Sequence, residues 1–220
     1  MKYRAALIDL DGTLLHTVPD LTAACNAMLV DLGREPVPAQ SVEHYIGKGV
    51  ERLVHRCLTK DLHGVAEAPI FGQAMALFNT HYQRENGLHC ELYPGVIDGL
   101  AAMQAAGTLI ACVTNKPHAF AVDLLAKTKL DHYFEFIQGG DVLEHKKPDP
   151  LPLLWAASRL GVAVHECVAF GDSVNDCLAA QAAGMAMLLV PYGYNEGQPV
   201  TALPCTAIVP TLLAGFAEHF

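Results

Sequence analysis

The 220-residue sequence lacks long apolar runs, paired cysteine motifs and an excess of basic residues. No uninterrupted apolar stretch approaches the roughly 20 residues that span a membrane. The first apolar stretch reaches Asp9 too soon for a secretory signal. The seven cysteines are scattered without a Cys-x-x-Cys pair, which favours buried, reduced thiols over a disulfide framework. We therefore expect a cytoplasmic protein with no membrane partner.

The charge balance is acidic, with 14 Lys and Arg against 23 Asp and Glu and a formal net charge of -9. A chain without a basic surplus is poorly suited to neutralising a nucleic-acid backbone. With 52% hydrophobic and 17% charged residues, it has enough apolar side chains for a sizeable core. We therefore expect no nucleic-acid partner. If the substrate is an anion, we expect a small molecule that is held locally. We expect the protein to be a monomer or homodimer.

Four short segments are apolar on successive residues, a pattern typical of strands buried on both faces of a parallel sheet. They are Ala5 to Ile8, Thr108 to Val113, Cys167 to Phe170 and Met185 to Val190. Helical segments lie between them, such as 96–106 before Gly107 and 176–183 before Gly184, where glycine suits a left-handed C-terminal cap. The alternation predicts an α/β fold.

The segment 17–92 interrupts this alternation, because it has no convincing strand and shows helical spacing instead. Thr17 with Asp20 three residues later resembles a capping arrangement, and we expect about four helices. This organisation predicts a catalytic core made of residues 1–16 and 93–220, with an inserted helical domain at 17–92. One apolar helix face would carry Leu21, Cys25, Met28, Leu29 and Leu32.

Polar residues follow the predicted strands, and ligands bind beyond the carboxyl ends of strands in open parallel sheets. Several carboxylates brought together there would repel one another, and a hard divalent cation with oxygen ligands offsets that cost. Magnesium is the natural candidate. The residues in question are Asp9, Asp11, Thr114, Asn115, Lys147, Asp172 and Asp176.

The same residues have the functional groups that phosphoryl transfer requires. Asp9 could attack phosphorus while Asp11 donates a proton to the leaving oxygen and later deprotonates water. Lys147 and the Thr114 hydroxyl would spread the charge of the phosphoryl group. Each motif alone has a simpler explanation: an acidic turn after a strand, a helix N-cap at Thr114, or a solvated loop lysine.

In order and wording the four polar sets resemble the signature motifs of the haloacid dehalogenase superfamily. The resemblance implies a Rossmann-like parallel-sheet core with an inserted α-helical cap domain. It implies Asp9 as nucleophile and Asp11 as acid/base, with phosphate bound by Thr114, Asn115 and Lys147. The expected magnesium ligands are Asp9, the backbone carbonyl of Asp11 and Asp172, with Asp176 in an outer or water-mediated position.

Weaker segments resemble the family members that hydrolyse 2-phosphoglycolate to glycolate and phosphate. The resemblance implies a mobile cap that contacts the substrate, and Lys48 with its flanking glycine amides is the expected contact for the second carboxylate. A simple turn at Gly47 to Gly49 is the alternative. One departure is His16, which stands where relatives commonly have an acidic residue. The weaker segments are Pro19 to Leu21, Ile46 to Gly49, Leu53 and Val54, Thr114 to Pro117 and Tyr192 to Asn195.

Two alternatives to hydrolysis of 2-phosphoglycolate stay open from the sequence. A phosphatase or phosphomutase for another small phosphate ester, such as a sugar phosphate, would use the same core. A receiver-like signalling module also places acids, a hydroxyl and a lysine at strand ends. That module would carry its phospho-accepting aspartate on a later strand, and it needs no helical insert after the first one.

Overall fold

The computed structural model of the protein describes residues 2–220. Its strands are β1 (Ala5–Ile8), β2 (Leu15–His16), β3 (Glu91–Leu92), β4 (Leu109–Val113), β5 (Phe136–Gln138), β6 (Cys167–Gly171), β7 (Ala186–Leu189) and β8 (Ala207–Ile208). Its α-helices are α1 (Val18–Asp31), α2 (Ala39–Tyr45), α3 (Val50–Thr59), α4 (Ala68–Glu85), α5 (Val96–Ala105), α6 (His118–Lys127), α7 (Leu151–Leu160), α8 (Val174–Ala183) and α9 (Leu212–His219).

Six strands form one parallel sheet in the order β5-β4-β1-β6-β7-β8. β1 lies inside the sheet and is buried on both faces, because its alternate side chains enter two different apolar clusters. Ala6 and Ile8 join the cluster on one face, and Ala5 and Leu7 join the cluster on the other. This double burial explains why the strand is apolar on successive residues.

Helices α1 to α4 follow β1 and β2 in the chain and pack around an apolar cluster of their own. The apolar stripe predicted for the first of them is buried here, with Leu32 partly buried at its end. β2 and β3 pair antiparallel, Leu15 with Leu92 and His16 with Glu91. The chain therefore enters and leaves the helical segment through two paired strands.

The predicted fold class is confirmed, and each of the four predicted strands matches an observed one. The short strands β2, β3, β5 and β8 were not predicted; they have two or three residues each and no extended apolar run to mark them. β3 lies at the end of the segment 17–92, where no strand was expected. Helix α8 begins at Val174, two residues before the predicted start. Gly107 and Gly184 adopt positive φ angles of 76° and 67°, as expected for glycines after helices.

The capping arrangement expected at Thr17 and Asp20 was wrong. Thr17 precedes α1, but its side chain makes no capping hydrogen bond. The Asp20 carboxylate instead accepts hydrogen bonds from the backbone N–H groups of Gly87 at 2.8 Å and His89 at 2.7 Å. These donors lie in the turn that leads out of α4, so Asp20 joins the beginning of the helical segment to its end.

Across residues 2–220, no helix combines the length and apolarity needed to cross a membrane.

Candidate active site

The central position of β1 brings the predicted polar sets together. Ile8, the last residue of this strand, pairs with Cys112 in β4 and with Phe170 in β6. All three strands run parallel, so the residues that follow them emerge at the same edge of the sheet. Asp9 follows the first strand, Thr114 the second, and Asp172 the third.

Three carboxylates form a tight cluster at this edge. Each of Asp9, Asp172 and Asp176 offers an oxygen, and these oxygens lie within 4.8 Å of one another. Asp172 and Asp176 are buried, and the Asp9 side chain is 12% exposed. Like charges this close repel one another, and burial strengthens the repulsion by removing the screening solvent.

Burial and repulsion shift the pKa values of two of these groups upward. Burial raises the pKa of Asp9 to about 6, with a further rise from Asp176, although the charge of Lys147 opposes the change. Burial, together with the charges of Asp176 and Asp9, raises the pKa of Asp172 well above its ordinary value. The cluster is therefore short of positive charge.

Lys147 supplies one positive charge to the cluster. Its ammonium donates hydrogen bonds to the backbone carbonyl of Val113 at 2.6 Å and to Asp176 Oδ1 at 2.7 Å. It also lies 2.9 Å from Asp9 Oδ1, with which it forms an ion pair. Burial alone would lower the pKa of Lys147, but the Asp176 and Asp9 carboxylates raise it above its ordinary value.

Short hydrogen bonds fix the orientation of the Asp172 and Asp176 carboxylates. Asp172 Oδ1 accepts a hydrogen bond from Thr13 Oγ1 at 2.7 Å, and its Oδ2 accepts one from the Tyr194 N–H at 2.5 Å. Asp176 Oδ2 accepts from the Ser173 N–H and hydroxyl in a capping box at the start of α8. Asp176 Oδ1 accepts from Lys147, so Asp176 links this lysine to the start of α8.

Thr114 and Asn115 follow β4 and line the same cavity as the cluster. The Thr114 hydroxyl accepts a hydrogen bond from the Lys116 N–H at 3.2 Å. The Asn115 side-chain amide donates to the carbonyl of Lys147 at 2.8 Å and to that of Gly47 at 3.1 Å. Asn115 therefore links the loop that carries Lys147 to the segment between α2 and α3.

Asp11 lies next to a buried lysine that the sequence analysis did not single out as a site residue. Lys116 is 4% exposed, and its ammonium lies 3.0 Å from Asp11 Oδ1 and 3.3 Å from Oδ2. It also donates a hydrogen bond to the hydroxyl of Tyr82 in α4. The signal was present in the segment Thr114-Asn115-Lys116-Pro117, where a lysine follows an apolar strand closely.

These groups line a cavity of about 40 Å³, which has space for about three water molecules at roughly 10 to 15 Å³ each. The helical segment closes the side opposite the sheet, with Leu21, Ile46, Gly47, Gly49, Val50 and Leu53. Of the described residues that line the cavity, Lys116 and Lys147 are the cationic ones.

Lys48 is not among the residues that line the cavity. Its ammonium lies 3.2 Å from Glu196 Oε1, and its side chain is 40% exposed. A substrate contact from Lys48 stays a prediction, and in this arrangement it would require the side chain to leave Glu196. The flanking residues Gly47 and Gly49 do line the cavity.

His16 lies at the junction between the sheet and the helical segment. Its Nδ1 is 2.9 Å from the Tyr194 hydroxyl and 3.3 Å from the Tyr93 hydroxyl. The Tyr194 hydroxyl also accepts a hydrogen bond from the Thr17 N–H at 2.8 Å. Because the Tyr194 N–H binds Asp172, this junction is connected directly to the acidic cluster.

The residues of the acidic cluster fit a hard divalent cation. All three groups are carboxylates, and hard divalent cations prefer oxygen ligands of this kind. The single ammonium of Lys147, which contacts Asp9 and Asp176, leaves the cluster of three carboxylates negative. The Asp11 carboxylate is not part of this cluster, and a metal contact through the Asp11 backbone carbonyl stays a prediction.

The family of the protein follows from comparison with known proteins. A family model described as haloacid dehalogenase-like hydrolase matches residues 3–184. The chain belongs to the haloacid dehalogenase-like hydrolase family. The predicted family is therefore confirmed.

Individual relatives cover nearly the whole chain. Phosphoglycolate phosphatase of Nitrosospira multiformis is 48% identical over 212 residues, which are 96% of this chain and 93% of the relative. Phosphoglycolate phosphatase of Thiobacillus denitrificans has the same identity and coverage. A crystal structure of a predicted phosphoglycolate phosphatase from Haemophilus somnus 129pt matches with a TM-score of 0.91 and 30% identity, covering 97% of this chain and 96% of that chain.

Proposed function

We propose that this protein is a magnesium-dependent phosphatase that hydrolyses 2-phosphoglycolate to glycolate and phosphate. The observation that carries the proposal is the cluster of Asp9, Asp172 and Asp176 around Lys147, beside Asp11, at the edge of the parallel sheet. The substrate assignment rests on the relatives, which are named phosphoglycolate phosphatase and align over nearly the full chain.

Asp9 is the nucleophile in this proposal. Its carboxylate oxygen forms a bond to phosphorus while the bond from phosphorus to the ester oxygen breaks, which leaves a phosphoryl group on Asp9. Lys147, 2.9 Å from Asp9 Oδ1, offsets negative charge as the phosphate enters. Thr114 and Asn115 border the same space and would contact the phosphate oxygens.

Asp11 moves the proton in both steps. In the first step it gives a proton to the departing glycolate oxygen, and in the second it takes a proton from the water that attacks phospho-Asp9. Phosphate then leaves and the Asp9 carboxylate is restored. The position of Asp11 beside the cluster but outside it supports a separate role from that of Asp9.

Asp9, Asp172 and the backbone carbonyl of Asp11 would hold Mg²⁺, with Asp176 supporting the site through Lys147 and Ser173. When bound, Mg²⁺ supplies positive charge that the carboxylate cluster lacks and that the phosphate also requires.

Residues 17–92 would act as a cap domain over a core formed by 1–16 and 93–220. The paired strands β2 and β3 are the two connections between these parts, and Leu21, Ile46 and Leu53 line the cavity from the cap side. Cap closure over a small substrate excludes water from the reacting groups. We place the enzyme in the cytoplasm, since its seven cysteines are free thiols, and we propose that it is a monomer or homodimer.

A phosphate-release panel tests the proposal. Purified protein is assayed with 2-phosphoglycolate, a sugar phosphate and ethyl phosphate, each with Mg²⁺ and with a chelator. We expect the highest kcat/KM with 2-phosphoglycolate, loss of turnover in chelator and recovery when Mg²⁺ is restored. Phosphate release from 2-phosphoglycolate no faster than from the other esters would contradict the substrate, and full activity in chelator would contradict the metal.

A further inference from the structure

The cavity contains a buried cation that the chemistry proposed above leaves without a role. Lys116 contacts Asp11 through both carboxylate oxygens and Tyr82 through its hydroxyl. The Tyr82 ring also lies against the ammonium, 4.8 Å from nitrogen to ring centroid. Burying an ammonium is costly unless it is paired, so this lysine is held at a defined position by partners from both the sheet edge and α4.

The two lysines of the cavity serve different groups. Lys147 contacts Asp9 and Asp176, the groups assigned to the phosphoryl side. Lys116 contacts Asp11, the group assigned to the leaving oxygen. The cavity therefore has one cation on the side of the phosphoryl group and another on the side of the leaving group.

The structure of the substrate places its second charge on the leaving-group side. In 2-phosphoglycolate, the carbon that bears the ester oxygen also bears the carboxylate. Asp11 must reach that ester oxygen to protonate it, so the substrate carboxylate must come to rest close to the Asp11 carboxylate. Two carboxylates at that separation repel unless a cation lies between or beside them.

We propose that Lys116 forms the subsite for the substrate carboxylate and determines the preference for 2-phosphoglycolate. This inference rests on the proposed function. Lys116 would share its N–H groups between Asp11 and the substrate carboxylate. Tyr82 is fully buried, does not line the cavity and accepts from Lys116, so it acts as a positioning residue that α4 contributes to the subsite.

The alternative contact, Lys48, is less suited to this role. Its ammonium pairs with Glu196 and its side chain is 40% exposed, whereas the side chain of Lys116 is 1% exposed and lines the cavity. A charge that is withdrawn from solvent discriminates more strongly between a substrate with a carboxylate and one without it.

The test compares two phosphate esters, 2-phosphoglycolate and ethyl phosphate. The first carries a carboxylate where the second has a methyl group. The measured quantity is the ratio of their kcat/KM values, in which any general effect of Lys116 on Asp11 cancels. Lys116→Met should lower this ratio roughly 10- to 100-fold, the range for loss of a hydrogen bond to a charged group. Tyr82→Phe should lower the ratio by a smaller factor, and Lys116→Arg should retain most of the wild-type ratio.

Lys60→Met is the matched control, because Lys60 is exposed at the end of α3; it should leave the ratio unchanged. Lys48→Met is measured in parallel. An unchanged ratio in Lys116→Met, with both kcat/KM values reduced equally, would show that Lys116 only positions Asp11 and would overturn the subsite. The subsite would also be overturned if the ratio fell in Lys48→Met and stayed at the wild-type value in Lys116→Met.

Failure of the proposed function gives a different result. If the wild-type protein itself shows no preference for 2-phosphoglycolate over ethyl phosphate, the substrate assignment falls and the subsite falls with it. If Lys116→Met does not fold, which circular dichroism would show, Lys116→Gln decides the question: a ratio equal to that of wild type contradicts the subsite.

Discussion

Glu196 Oε1 accepts a hydrogen bond at 2.5 Å from Nη2 of Arg56, a fully buried guanidinium in α3. Glu196 lies in the loop that follows β7 and adopts a positive φ of 49°, a conformation that non-glycine residues rarely take. Lys48 pairs with the same carboxylate oxygen. A single carboxylate on the sheet side thus holds two cations of the helical segment.

Glu196→Gln should weaken this connection without changing the shape of the side chain. Partial burial alone would raise the pKa of Glu196, but Arg56 and Lys48 lower it below its ordinary value. A carboxylate with a lowered pKa stabilises the fold above its ordinary pKa, and the contribution is lost as pH falls through the lowered value. We expect Glu196→Gln to lose about 1 to 2 kcal/mol of unfolding free energy at neutral pH.

Urea denaturation at several pH values measures this effect. The difference between wild type and Glu196→Gln should shrink as the pH is lowered past the ordinary carboxylate pKa of 4.5. Glu144→Gln, at an exposed position, is the control and should be neutral. A difference that is constant over the whole pH range would show that the charge of Glu196 has no part in the connection.

Gly12→Ala should damage the acidic cluster. Gly12 has a φ of +86°, and a Cβ atom there would overlap Asp172 Oδ2 and come within 2.9 Å of Tyr194 Cδ2. Displacing Asp172 should abolish the thermal stabilisation that Mg²⁺ gives to the wild-type protein, which is about 3 kcal/mol at 100 times the Kd. Thermal unfolding with and without Mg²⁺ measures it.

Gly184→Ala provides the matched control for backbone strain. Gly184 has a φ of +67° but no atom within 4 Å of an added Cβ, so the substitution should cost about 1 kcal/mol of strain and keep the full response to Mg²⁺. An equal loss of the Mg²⁺ response in both variants would mean that strain, rather than contact with Asp172, is responsible.

Much of the fold could be predicted from the local pattern of apolar residues in the sequence. The contacts of the site could be predicted only in part. Ala5 to Ile8 is buried on both faces and apolar throughout, and Asp9 at its end was predictable from that alone. The side-chain environment of Lys116 was not, because its partner Tyr82 lies 34 residues away in a different helix. Lys48 shows the converse: the family resemblance implied a substrate contact there, but its partner Glu196 belongs to a distant loop.

The raised pKa of Asp9 predicts how stability of the metal-free protein depends on pH. The ordinary pKa of an aspartate is 3.8, and the pKa of Asp9 in the folded protein is about 6. Ionisation of Asp9 therefore destabilises the fold increasingly as the pH rises from the first value to the second. Metal-free Asp9→Asn should therefore be more stable than wild type at about pH 8, by on the order of 1 to 3 kcal/mol.

This difference should vanish as the pH falls below 3.8, where the unfolded carboxyl also becomes protonated. Denaturation of both proteins in chelator over this pH range measures it. If Asp9→Asn is less stable than wild type above pH 6, the ion pair with Lys147 outweighs burial and repulsion, and the account of a cluster short of positive charge is wrong.

The most direct test of the proposed mechanism is to locate the phosphoryl group during turnover. Wild-type protein with Mg²⁺ and 2-phosphoglycolate is quenched in acid within a single turnover, digested and mapped by mass spectrometry. We predict a phosphoryl group on Asp9, and for Asp9→Asn a folded protein with no phosphoryl group and no phosphate release. A phosphoryl group on another residue, or appreciable turnover by Asp9→Asn, would contradict the mechanism.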